Sequence, residues 1–225
     1  MNSPRELFSQ RLLEIKAQLN PATSLLIVSK TRSLEEIQVY YELGHRDFGE
    51  NRVQELQEKA EALKDKCPQI RWHMIGHLQS NKINQLFSVP HLFAIHSVHD
   101  QPLLDKLMKS EDKLKSPVEI YLQFNTSKED EKSGFETYTG LRMAAEEALK
   151  STKLKLAGVM TMGTLRTDNF ERDAGVCFQD LRVEKEKLEA EFNIKLKTSM
   201  GMSQDYQIAM QEGSNCIRLG TMMFQ

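Results

Sequence analysis

The stretch "SLLIVSKTRSLEEIQVYYELG", residues 24–44, joins two hydrophobic periods end to end. Its first part, "SLLIVS", is an unbroken apolar run of strand length, as expected of a strand buried on both faces. Its second part, "SLEEIQVYYELG", follows helical spacing, with Ser33 and Glu36 placed as a capping box and Gly44 as the stop. A buried strand that runs straight into a helix is the building unit of a parallel sheet.

The alternation continues outward from this unit. Upstream, "MNSPRELFSQRLLEIKAQL" reads as an extra amphipathic helix, with Leu7, Leu12, Ile15 and Leu19 behind a start at Ser3 and Pro4. Downstream, strands are expected at "RDFGE" (46–50), "RWHMIG" (71–76), "LFAIHSV" (92–98) and "PVEIYLQFN" (117–125). Three more follow at "LKLAGVMTM" (154–162), "KLKTSM" (195–200) and "NCIRLG" (215–220), with a helical segment in each interval. Eight strands in strict alternation with helices predict a single (β/α)8 TIM-type barrel of the α/β class with an extra N-terminal helix, one domain over residues 1–225. "RDFGE" is the weakest of the eight. A chain of 225 residues with 40% hydrophobic content can bury the core that such a barrel needs.

Charge and cysteine usage exclude several function classes. The 30 basic and 32 acidic residues leave a formal net charge of −2 and form no basic arm or block, so no nucleic-acid partner is expected. There is no apolar run long enough for a bilayer and no signal-peptide pattern, which points to a cytoplasmic protein without a membrane partner. Cys67, Cys177 and Cys216 are distant from one another and odd in number, which reads as reduced thiols with no zinc site. His96 and His99 lack a carboxylate cluster, so no metal is expected.

In such a barrel the chemistry belongs at the C-terminal ends of the strands. The unusual residues collect there: Lys30 after the first strand, "GEN" after the second, "GHLQSNK" after the third, and "SMGMSQD" and "RLGT" after the last two. The final pair supplies hydroxyls at Ser199, Ser203 and Thr221, glycines at Gly201 and Gly220, and an expected helix start at Ser203. Taken singly, Ser203 is a helix cap and Gly220 a turn; together, at the usual phosphate corner of a barrel, they read as a phosphate site. A phosphate site and a lysine on one rim suggest Schiff-base chemistry. An ordinary lysine, with a pKa near 10.4, is only about 0.04% neutral at pH 7. Burial of Lys30, with a second cation such as Arg218 nearby, is expected to favour the neutral nucleophile.

The blocks "IVSKT", "FGENRVQE", "WHMIGHLQSNK", "QFNTSKEDEKSG", "GVMTMG", "SMGMSQD" and "IRLGT" closely resemble, in order and spacing, the pyridoxal phosphate homeostasis protein family, whose fold is similar to the N-terminal barrel of alanine racemase. The resemblance covers the chain from about residue 24 to the end. It implies pyridoxal 5'-phosphate (PLP) as cofactor, with Lys30 forming the Schiff base. By the same resemblance Ser199, Gly220 and Thr221 bind the phosphate, Arg218 faces the pyridine nitrogen, and Asn51 and His77 line the pocket. The implied function is PLP binding in intracellular PLP homeostasis without a committed catalytic reaction. A PLP-dependent amino-acid racemase is the alternative, and a Schiff-base lyase remains if PLP is wrong. Racemisation needs an acid/base on each face of the cofactor, and with strand eight running up to Gln225 no second domain is expected to supply one. The partners expected are PLP and apo-PLP enzymes, and the chain is expected to be a monomer.

Departures from the family pattern fall at "KTRS", at "GTLRTDN" and at the final "GTMMFQ", the last bearing on how strand eight closes. Several residues carry plainer readings. Asn51 with Gln54 makes a capping box, His73 is packing in or across the barrel, and Glu50 is a solvated rim carboxylate or an acid supporting the site from behind.

Overall fold

The computed structural model describes residues 3–127, 129, 132–164 and 167–225. Met1, Asn2, Lys128, Asp130, Glu131, Leu165 and Arg166 therefore lie outside the described residues, including parts of the "NTSKEDEKSG" and "GTLRTDN" loops singled out above.

Eight parallel strands close into a barrel in sequence order. They are β1 (Ser24–Val28), β2 (Asp47–Glu50), β3 (Arg71–Met74), β4 (Leu92–Val98), β5 (Val118–Gln123), β6 (Leu154–Met160), β7 (Lys197–Ser199) and β8 (Cys216–Leu219). The outer helices are α1 (Pro4–Gln18), α2 (Leu34–Glu42), α3 (Val53–Leu63), α4 (Ile83–Phe87) and α5 (Gln101–Lys109), then α6 (Tyr138–Ala148), α7 (Phe170–Phe192) and α8 (Tyr206–Gln211). The weakest expected strand, β2, is held by its neighbours, pairing with β3 from Asp47 to Glu50 and with β1 at Phe48 and Gly49. Strand eight also closes, with Cys216 to Leu219 in register against Ser24 to Ile27.

Local signals set most helix starts. Ser3 and Ser33 each make the reciprocal capping box with the glutamate three residues on, and Gly44 ends the α2 segment at φ 88°. Two expectations fail. α3 begins after Arg52 with no side-chain cap, and Gln54 donates to Glu58 instead, so the Asn51 capping box does not form. α8 begins at Tyr206, three residues after the expected start at Ser203, because Asp205 turns its carboxylate back onto the Met202 amide.

α1 covers the seam where β8 meets β1. Phe8 stacks on Tyr40 at 4.9 Å and meets Phe224 edge-on at 5.5 Å, and the Tyr40 hydroxyl donates to the Met223 carbonyl. Each such ring pair adds about 0.5–1.5 kcal/mol beyond its buried area, fastening both ends of the barrel sequence to each other.

Candidate functional site

A cavity of about 610 Å³ opens at the C-terminal ends of the strands, where Lys30, Asn51, His77, Arg218, Gly220 and Thr221 all line its wall. Ser199 does not line it. Its hydroxyl is fully buried one layer below, 2.8 Å from His96 Nδ1 and accepting from Arg218 at 2.7 Å. The side chain that follows in the same turn, Ser203, reaches the wall beside Met202.

Lys30 stands two residues beyond Val28, the last residue of β1, and is exposed to the cavity, contrary to the expected burial. The apolar run fills the barrel below it and ends too early to cover it. Among the described residues Lys30 Nζ has no hydrogen bond or ion pair, so the amine is uncommitted. What is fixed is its backbone. Ser29 donates through its amide to the Gly49 carbonyl at 3.0 Å and through its hydroxyl to Glu50 Oε1 at 2.7 Å. Lys59 reaches from α3 to donate to the Ser29 carbonyl and to Glu50 Oε1, both at 2.8 Å. The Arg32 amide also donates to the Ser29 carbonyl, across a turn in which Thr31 has φ 63°, a conformation a β-branched residue rarely adopts. Glu50 is thus no solvated rim carboxylate: it is wholly buried, and burial pulls its pKa upward against the hydrogen bonds from Lys59 and Ser29.

Arg218 comes from the interior face of β8 and is buried. NH1 donates to Ser199 Oγ and NH2 to the Thr161 carbonyl at 2.8 Å, so two of its five N–H groups are held below and the others remain for the cavity. Burial lowers its pKa, with Cys216 and Asp205 acting in the opposite sense; guanidinium remains the charged form. No carboxylate lines the cavity among the described residues.

The glycines divide by cause. Gly201 has φ 95°, and a Cβ there would lie 2.6 Å from that of Ala209, so packing of α8 accounts for it. Gly220 meets only ordinary contacts from Val28, so internal packing does not require a glycine on that part of the wall. At the opposite wall, a Cβ on Gly76 would fall 2.1 Å from the Asn51 carbonyl oxygen. That close approach places Asn51, free of any capping role, beside His77. His77 Nδ1 lies 3.2 Å from Ser133 Oγ, and its ring centroid is 4.3 Å from that of His99. Burial and His99 lower its pKa.

The sequence reading passed over Lys132, Ser133, Gln123 and Arg32, which also line the cavity, as does Met162, expected as packing near the rim. Lys132 is a second amine there, already donating to Glu129 at 3.0 Å and to the Gly163 carbonyl at 2.9 Å. Its signal was present in "EKSG", but one lysine in a loop dense with charge does not stand out.

A closed parallel barrel whose rim gathers a free amine, a buried guanidinium and several hydroxyls defines a (β/α)8 protein with one polar small-molecule site at the C-terminal face. The chain matches the family described as alanine racemase, N-terminal domain, over residues 6–225. It is 37% identical over 207 residues to the pyridoxal phosphate homeostasis protein of Homo sapiens, an alignment covering 89% of this chain and 75% of that one. Among solved structures it resembles PipY of Synechococcus elongatus PCC7942 with PLP bound, at 31% identity and a TM-score of 0.86, covering 97% of this chain and 100% of the other. Alanine racemase from E. faecalis shares the fold, with a TM-score of 0.73 at 14% identity over 97% of this chain and 57% of that one. The chain belongs to the pyridoxal phosphate homeostasis protein family.

Proposed function

We propose that this chain binds PLP at the rim cavity and serves intracellular PLP homeostasis, holding the cofactor as a Schiff base on Lys30 and passing it to apo-PLP enzymes. The observation that carries this reading is the uncommitted amine of Lys30 in a cavity shared with Arg218, Ser203, Gly220 and Thr221. Those residues fit the group. Lys30 would offer its amine to the aldehyde, the Ser203 and Thr221 hydroxyls with the adjoining backbone would hold the phosphate, and Arg218 would donate to the ring nitrogen. Ser199, which the resemblance assigned to the phosphate, serves in this reading through Arg218. Asn51 and His77 bound the ring on the β2 and β3 side.

The charge around the ring supports the holding role without deciding it, because the arginine facing the ring nitrogen is shared with alanine racemase. Bound PLP supplies an electron sink, strongest when its ring nitrogen is protonated against a carboxylate. Arg218 has no acceptor to offer that proton, and no carboxylate faces the cavity among the described residues. The sink is therefore kept weak, which suits loading and release better than turnover. The described residues act here as one domain and as a monomer.

Borohydride reduction of the loaded protein should fix a phosphopyridoxyl group on Lys30, and Lys30→Ala should lose the label and the visible absorption. Recovery of the label mainly on Lys132 would overturn the assignment. Robust alanine racemisation abolished by Lys30→Ala would restore the enzyme reading.

A further inference from the structure

Beneath the rim site a line of polar side chains crosses the barrel interior, where apolar packing is the rule. Arg218 NH1 donates to Ser199 Oγ at 2.7 Å, and Ser199 Oγ lies 2.8 Å from His96 Nδ1. His96 Nε2 lies 3.0 Å from His73 Nδ1, and His73 Nε2 lies 3.0 Å from Asp47 Oδ1. Ser199 and His96 are wholly buried, and His73 nearly so. Asp47 sits at the N-terminal end of β2, in the wall of a second cavity of about 400 Å³ at the barrel floor, next to Arg71. The chain thus joins the C-terminal face to the floor through five strands.

Its two ends fix its direction. A guanidinium only donates and a carboxylate only accepts. With both imidazoles neutral, one arrangement satisfies all four bonds: Arg218 to Ser199, Ser199 to His96 Nδ1, His96 Nε2 to His73 Nδ1, and His73 Nε2 to Asp47. The reverse order would leave the bare Nε2 of His73 facing the carboxylate. Burial above all, together with the charges of Arg218 and Lys197, keeps His96 neutral. The Tyr121 ring, stacked on it at 4.3 Å, holds its plane. Bonds donated in one sense polarise one another, so Ser199 offers Arg218 a strengthened lone pair while its own proton is engaged elsewhere.

We propose that His96 and His73, anchored by Asp47, are positioning residues for Arg218: by taking the Ser199 proton in a hydrogen bond they turn the lone pairs of that hydroxyl towards Arg218 and so set which guanidinium N–H groups point into the cofactor cavity. The inference rests on the PLP reading for what Arg218 meets, but the order of the bonds is a property of the unliganded chain. Neither imidazole lines the rim cavity, so their effect passes through Ser199 alone.

The test begins with the cofactor-free wild-type protein, labelled with 15N-histidine, at about pH 8.5, above the ordinary imidazole range. His96 and His73 should both carry their proton on Nε2, with a through-hydrogen-bond N–N coupling between His96 Nε2 and His73 Nδ1. A His96 proton on Nδ1 would overturn the proposal. Titration with PLP then tests the consequence. His73→Phe removes the acceptor for His96 and should weaken PLP about 10-fold, although position 73 is three hydrogen bonds from Arg218. Unchanged affinity in this variant, with its fold intact by circular dichroism, would also overturn it. Should His73→Phe not fold, Asp47→Asn replaces it; weakened His96–His73 coupling with weaker PLP binding is the supporting result, and no change in either is the opposing one. Failure of the wild type to bind PLP would refute the proposed function while leaving the bond order to be decided by the nitrogen shifts.

Discussion

Replacing Lys59 by methionine strips the support from behind Lys30 and leaves the rim cavity untouched. The ion pair it breaks is buried, with the Lys59 side chain 13% exposed and that of Glu50 not at all. Methionine keeps the packing but removes both bonds made by Nζ. Glu50 is left with the Ser29 hydroxyl on Oε1 and, among the described residues, nothing on Oε2. Removing one partner of a buried pair costs about 3–5 kcal/mol, a large part of the ~5–15 kcal/mol stability of an ordinary domain. The loss has a sign in pH. Burial already raises the Glu50 pKa, and Lys59 is the largest influence opposing that rise; without it the folded-state value climbs further. Between the ordinary glutamate value near ~4.3 and the raised one, the folded chain binds more protons than the unfolded, so its stability falls as pH rises. Urea unfolding of wild type and Lys59→Met should therefore show a larger gap at about pH 8 than at about pH 5. The double variant Glu50→Gln/Lys59→Met carries no stranded charge and should recover most of the loss, to within about 1–2 kcal/mol of wild type. A gap independent of pH, or a double variant no better than Lys59→Met, would refute the reasoning.

Replacing Ser203 and Thr221 together by alanine should weaken PLP roughly 100-fold, from the loss of two charge-assisted hydrogen bonds, and pyridoxal less than about 3-fold; equal losses in parallel titrations would place the phosphate elsewhere. His45 is buried, with Nε2 2.8 Å from the Asp47 carbonyl oxygen, and burial pushes its pKa from 6.5 down to about 4. The unfolded chain binds more protons through that window, so as pH falls from 6.5 to about 4 the folded state loses about 3 kcal/mol at this position. His45→Gln should flatten the pH dependence of the urea midpoint there, and an unchanged slope would count against the burial argument.

The sequence by itself determined the barrel and the composition of its rim. Strand and helix periods, the Ser3 and Ser33 caps and the Gly44 stop depend on residues within a few positions of one another, so they are written locally. Lys30 at a strand end and Thr221 after the last strand are legible for the same reason, because barrel topology sends every strand end to one face. What only the tertiary structure decided involves partners distant in sequence. Ser199 looks like a rim hydroxyl until the barrel closes and sets it between Arg218 and a histidine 103 residues away. Glu50 looks solvated until Lys59, nine residues on, folds over it along α3. Asn51 looks like a cap until Gly76 lets a neighbouring strand end approach its carbonyl. Each of these residues had a local hydrogen-bonding alternative of comparable strength, and the choice fell to burial, which exists only once the eight strands have enclosed an interior.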